Sequence, residues 1–243
     1  MEEILEVRRA LREDHIPVFT ELRGFDEQDL PQIQALIDEF HRNIQRRLKQ
    51  IVRRTTDSGI HLADTPVGVG LFNGNGILKH KLKTPIAFYI SSLSTEHQYW
   101  VDGDFTYGMD YDYDLLGYAC ALDGQFSLHH RVPYNGCFFN HSCNPNCFCN
   151  MEEDAESGVW YMVFYPLRDV RPGEELTIDY NDSVKTGRNG RELAVGYWRN
   201  ATHFAGVPRQ FLVRCQCMRL CPKNRAFDSR AKRSKAFRVA GMD

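Results

Sequence analysis

Nine residues constrain this chain more than any others. From Phe138 to Asn146 it reads Phe-Phe-Asn-His-Ser-Cys-Asn-Pro-Asn. Asn144-Pro145 is a turn former, because proline fixes φ and asparagine tolerates turn conformations. An aromatic pair, Phe138 and Phe139, directly precedes two polar side chains, Asn140 and His141, and a thiol, Cys143. Buried polar groups need partners, so a strand end this polar beside aromatic neighbours is not explained by packing alone. The stretch therefore reads as a site.

A second block, Gly173-Glu-Glu-Leu-Thr-Ile-Asp-Tyr180, follows a Pro172-Gly173 turn. Together the two blocks resemble the signatures of SET-domain protein lysine methyltransferases, the first of which reads Asn-His-Ser-Cys-x-Pro-Asn. The resemblance implies a mainly β fold with some α: short strands with a pseudoknot that brings both motifs to one site, preceded by an α-helical segment. It implies methyl transfer from S-adenosylmethionine to a protein lysine. By the same resemblance Asn140 and His141 hold the cofactor, and Tyr180 is the catalytic tyrosine. Gly68-Val69-Gly70 looks like the family's opening Gly-x-Gly, where bare backbone approaches the methionine part of the donor; glycine also serves ordinary tight turns. Tyr89, in Ala87-Phe88-Tyr89, resembles the tyrosine that lines the lysine channel and joins Tyr180 in catalysis; a core aromatic is the alternative. Tyr118 resembles a tyrosine that contacts the donor in some members, and Phe227 stands where members place an apolar residue against cofactor or channel. The chain departs from the pattern at Pro133-Tyr134 and Cys137-Phe138, where many members carry Gly-Asn and Arg-Phe. Ile178 stands two before Tyr180, where members often have Phe or Tyr, and its lack of a hydroxyl points to di- or trimethylation.

The chain has eight cysteines and none before Cys120. With no apolar signal core at the charged N-terminus, reduced thiols or metal ligands are expected in place of disulfides. Cys215, Cys217 and Cys221 are one ligand short of a tetrahedral zinc site. The family supplies the fourth from its Asn-His-Ser-Cys motif, here Cys143, which makes Zn2+ an expected structural ion; Cys147 and Cys149 are alternative ligands. Three residues separate Cys217 from Cys221, where four are usual. The missing early cysteines remove the zinc-cluster region typical of the histone H3 lysine 9 branch.

Residues 2–13 read as a short amphipathic helix. From Asp29 to Arg54, Ile33, Ile37, Phe40, Ile44, Leu48 and Ile51 recur at three- and four-residue steps, a helical stripe roughly 39 Å long. Such a stripe packs on its own domain or forms a homodimer through the helix at 29–54. Thr55 to Pro66 reads as a polar connection. Strand-like runs follow at 69–72, 85–90, 118–122 and 159–164, interrupted by an Asp- and Tyr-rich segment at 102–114. The expected division is a helical N-terminal segment at 1–62, the SET domain at 63–184, and a zinc-binding, basic region at 185–243.

The net charge of −2 conceals segregation. Residues 41–54 carry Arg42, Arg46, Arg47, Lys49, Arg53 and Arg54 with no acid, and the tail after Arg214 is basic. Basic ends around an acidic middle suit a protein that grips a basic peptide, such as a histone tail, and contacts nucleosomal DNA through its basic runs. Solvated helix faces are the alternative. No apolar run approaches the roughly 18 residues of a membrane span. The expected location is the nucleus, with room for a cytosolic pool. The expected function is methylation of a histone lysine; the alternatives are a non-histone lysine substrate, or a catalytically weak SET fold that serves as a binding module.

Overall fold

The apolar stripe folds as one helix, α2 (Leu30–Asp57). In the computed structural model, which describes residues 2–12, 15–66, 68–76, 78–79, 84–95, 108–124, 129–142 and 144–178, all six stripe residues are at most 5% exposed. Burial of each such side chain stabilises the fold by about 1.5–3 kcal/mol. Pro31 sits in the first turn, where a missing N–H breaks no helical bond. At the other end Ser58 N–H donates to Arg54 O (3.0 Å) and Gly59 N–H to Thr56 O (2.9 Å).

The stripe is buried against this chain's own elements. Phe40 packs its ring 5.3 Å from Tyr161 and 5.4 Å from Phe19, and Thr55 Oγ1 donates to the Ile86 carbonyl. Pairing of two chains through these apolar side chains would open the core, which they fill internally. A shorter helix, α1 (Glu2–Arg12), packs on α2 and buries Val7 and Ala10. No helix among the described residues is long and apolar enough to cross a membrane.

The strands form three small sheets. The first contains β1 (Phe19–Arg23), β5 (Ser91–Ser94), β7 (Tyr118–Asp123) and β6 (Gly108–Leu115), in that order. Here β1 runs parallel to β5, with Leu22 opposite Leu93, and the other neighbours are antiparallel. The second places β10 (Trp160–Pro166) between β4 (Ala87–Phe88) and β9 (Cys147–Glu153). The third has the order β2 (His61–Thr65), β3 (Gly68–Phe72), β11 (Glu175–Ile178), β8 (Asn140–His141).

Three features go beyond the sequence expectation. The segment before residue 63 supplies β1 to the sheet of β5, β7 and β6 and α2 to a core shared with the described residues that follow. The polar connection at 55–66 contains β2, whose ladder with β3 runs from His61↔Phe72 to Thr65↔Gly68. The Asp- and Tyr-rich segment likewise enters a sheet, as β6 at the end of its strand order.

The third sheet carries the fold's non-local closure. β11 lies antiparallel to β3 (Glu175↔Phe72, Leu176↔Leu71) and parallel to β8 (Thr177↔Asn140, Ile178↔His141). The chain thus returns late to run between two earlier segments, and Ser142 N–H donates to Ile178 O at 2.9 Å. This is the threaded arrangement that the resemblance implies. Beneath it Phe139 stacks on Phe164, with ring centres 4.5 Å apart.

Candidate active site

Three backbone segments converge where β3, β8 and β11 meet. Asn140 projects its amide toward β3 and donates to Glu175 Oε1 at 2.7 Å, with the Val69 carbonyl at 3.4 Å and Thr65 Oγ1 at 3.5 Å. Gly70 makes this approach feasible: a Cβ there would lie 2.5 Å from Glu175 Oε1 and 2.8 Å from Asn140 Nδ2, closer than real Cβ contacts. Two residues earlier the opposite holds. Gly68 has φ +121° and an added Cβ would meet nothing within 4 Å. β3 therefore presents bare backbone at two positions, open at Gly68 and closed at Gly70. Thr65 Oγ1 donates to Gly68 O at 2.8 Å and fixes the turn before it.

The sequence reading gave Asn146 no role of its own, yet it is 2% exposed and holds the two motifs together. Its Oδ1 accepts the Thr177 N–H at 2.9 Å, and its Nδ2 donates to the Glu175 carbonyl at 2.7 Å. A side-chain amide carries a donor and an acceptor like a peptide group, so Asn146 brackets β11 as a neighbouring strand would. The signal was its place at the end of the first motif, after Asn144-Pro145. Beside it, Glu174 is paired with Arg168 Nη2 and accepts the Arg171 N–H at 3.0 Å. Arg168, with the Arg171 amide and Asn146, holds the Glu174 carboxyl down at about 2.

Tyr89 is 1% exposed and donates its N–H to Met162 O at 2.9 Å. Its hydroxyl reaches Gly124, where a Cβ would come within 2.2 Å of it and 3.0 Å from Cys137 Sγ. Cys137, at the position where many family members have arginine, donates its thiol to the Ile90 carbonyl at 3.2 Å. Its N–H donates to Asn135 Oδ1 at 3.1 Å, within the 3-10 turn Gly136–Phe138 that lies against β3. Tyr89 thus ends beside the turn that leads into Asn140.

Tyr118 is placed elsewhere. It belongs to the sheet of β1, β5, β7 and β6, and its hydroxyl donates to Asp29 Oδ2 (2.6 Å) and Asp26 Oδ2 (3.1 Å), with Phe25 edge-on to its ring at 5.2 Å. The bond to Asp29, first among several causes, raises its pKa to about 12. Tyr118 anchors the loop before α2 and does not join Gly68–Gly70 and Asn140. Cys147 and Cys149 lie on β9. Both are buried, and burial pushes the Cys147 thiol far above its usual value. Among the described residues no group of three or more His, Cys, Asp or Glu could hold a metal ion. Cys143, Tyr180, Cys215, Cys217, Cys221 and Phe227 lie outside the described residues.

A SET-domain family model matches residues 18–181. Histone-lysine N-methyltransferase ash1 of Drosophila melanogaster is 37% identical over 79 residues, 32% of this chain and 4% of that protein. The H3 lysine-9 specific histone-lysine N-methyltransferase KMT1 of Fusarium mangiferae is 34% identical over 82 residues, 33% of this chain and 22% of that one. A putative SET domain-containing protein of Acanthamoeba polyphaga mimivirus is 34% identical over 122 residues, 47% of this chain and 41% of its own. The chain spans less than half the length of each. Among solved structures, KRYPTONITE in complex with mCHH DNA, H3(1-15) peptide and SAH aligns with TM-score 0.37 and 17% identity, covering 53% of this chain and 24% of that one.

Proposed function

This chain belongs to the SET-domain family, and we propose that it transfers methyl groups from S-adenosylmethionine to a protein lysine, with a histone as substrate. One observation carries the reading: the Asn140–Glu175 contact over Gly70, which joins β3 to both sequence motifs at one point. The residues present fit a donor at one testable place, the bare backbone at Gly68, open where Gly70 is closed.

When bound, the donor supplies an electrophilic methyl group whose C–S bond breaks as the lysine nitrogen forms the new N–C bond. The chain's own residues hold, align and dry. Asn140 and the Gly68–Gly70 backbone position the donor, and alignment of two reactants turns a bimolecular step into an effectively unimolecular one. The lysine must arrive without its proton. A channel walled by Tyr89, with Phe164 behind it at 6.4 Å between ring centres, disfavours the ammonium form by desolvation. The Tyr180 hydroxyl orients the amine.

A histone substrate is supported by charge. β6, at the end of its sheet, carries Asp110, Asp112 and Asp114 alternating with Tyr111 and Tyr113, which suits a basic peptide added as a further strand. Such a substrate places the chain in the nucleus. Cys143, Cys215, Cys217 and Cys221 form the proposed structural zinc set, and a Cys143→Ser protein with undiminished zinc content would remove it.

The deciding experiment incubates the full chain with labelled S-adenosylmethionine and a histone mixture, with mass spectrometry of the products. Label on lysine, lost on Tyr180→Phe, is expected. Donor binding without histone labelling would move the substrate to a non-histone lysine. Neither binding nor transfer would overturn the enzyme reading in favour of a binding module.

A further inference from the structure

α2 carries two lines of basic and polar side chains, and the structure treats them differently. At about 100° per residue, Asn43, Arg47 and Arg54 fall on one flank, and all three are engaged by the chain itself. Asn43 donates to Asp154 Oδ2 at 2.9 Å. Arg47 meets Glu152 Oε2 at 2.6 Å and the Tyr165 hydroxyl at 3.0 Å. Arg54 donates to the carbonyls of Lys79, at 3.2 Å, and Thr84. Arg42, Arg46 and Arg53 fall within about 40° of one another, roughly 100° from that flank and opposite the buried face; all three are exposed. Lys49 lies on the same line, half-buried. No Asp or Glu occurs between Phe40 and Thr56.

We propose that this outward row is a docking surface for duplex DNA, gripping phosphates through Arg42, Arg46 and Arg53. The row spans about 16 Å along a helix whose other side is locked in the core, so its charges are held in place before the partner arrives. That length exceeds the roughly 12 Å width of a major groove, which lets the row reach the phosphates on both sides. The choice of DNA over RNA rests on the histone reading, since a histone lysine comes wrapped in DNA; the row of charges does not.

The test needs neither methyl donor nor histone, so its failure is separate from a failure of the catalytic reading. The full chain is titrated against a fluorescent 30-base-pair duplex, with anisotropy read between about 50 and 200 mM salt. The variant replaces all three arginines by glutamine, which keeps helix propensity while removing charge. Affinity is expected to fall by about tenfold or more at the lowest salt, and the slope of log K against log salt to flatten by about 2 to 3, close to one per lost phosphate contact. The thermal transition stays in place, because these side chains are exposed. Arg131→Gln, an exposed arginine in a loop away from α2, leaves binding unchanged. Unchanged affinity and slope in the triple variant, an equal loss in Arg131→Gln, or equal or tighter binding of single-stranded RNA or anionic vesicles would each overturn the proposal.

Discussion

Asn140 and Glu175, 35 residues apart in sequence, meet at 2.7 Å directly over the space that a side chain on Gly70 would fill. The contact makes three distant segments depend on one missing carbon.

Gly70→Val follows from it. The branched side chain must displace Asn140 or Glu175, whichever yields first, and both belong to the joint where β3, β8 and β11 meet. Donor affinity by calorimetry is expected to fall by about tenfold or more, with methyl transfer falling further. Normal donor binding in this variant would separate Gly68–Gly70 from the cofactor.

Asn146→Ala removes the donor and acceptor that bracket β11. The Thr177 N–H loses its partner, and an unsatisfied group of this kind adds to the lost bonds for a destabilisation of about 2–3 kcal/mol. Chemical denaturation measures the total, and faster exchange of the Thr177 amide locates it. Wild-type exchange there would show that Asn146 is not what holds β11.

Acid stability is expected to depend on His41. Its Nε2 accepts the Val18 N–H at 3.2 Å, and burial, aided by neighbouring His15 and opposed by Asp38, lowers its pKa from 6.5 to about 4. Between those values the unfolded chain binds the proton and the folded chain does not. The stabilisation is therefore fully present above 6.5 and is lost as pH falls toward 4. It is on the order of 3 kcal/mol. His41→Gln should flatten the unfolding free energy between pH 6.5 and 4; an unchanged slope would assign the acid limb to other groups.

Ile178 is 3% exposed and lies opposite His141 in the β8–β11 pairing. An apolar side chain there offers no hydroxyl to restrain a methylated amine, so wild type is expected to give di- and trimethyl product and Ile178→Tyr mainly monomethyl. Peptide mass spectrometry decides, and a wild-type reaction that stops at one methyl group refutes the idea.

Much of this was legible in the chain, and the failures share a cause. α2 could be read because six apolar residues keep helical spacing for its whole length. Both motifs could be read because they are contiguous, and the structure lays Asn140 opposite Thr177. β1 is five residues of mixed polarity, Phe-Thr-Glu-Leu-Arg, and is a strand because β5 arrives about 70 residues later to pair with it. β6 looked like an interruption because alternating Asp and Tyr has no clear apolar face. Tyr118 does not announce its partner Asp29, which lies 89 residues away in sequence. Asn146 acts as a substitute peptide only once β11 lies alongside. Period and motif are local; a partner's address is not.

The threading of β11 also sets an order in time. Glu175 pairs with Phe72 and Thr177 with Asn140, so the third sheet closes only after residues about a hundred positions apart have both left the ribosome. Closures this distant are slow to form. A nascent chain holding everything through β10 has its helices and most of its strands, yet lacks the strand that joins β3 to β8. The joint at Gly70 and Asn140 thus closes late, and a chain ending near residue 170 would carry most of the described strands without it.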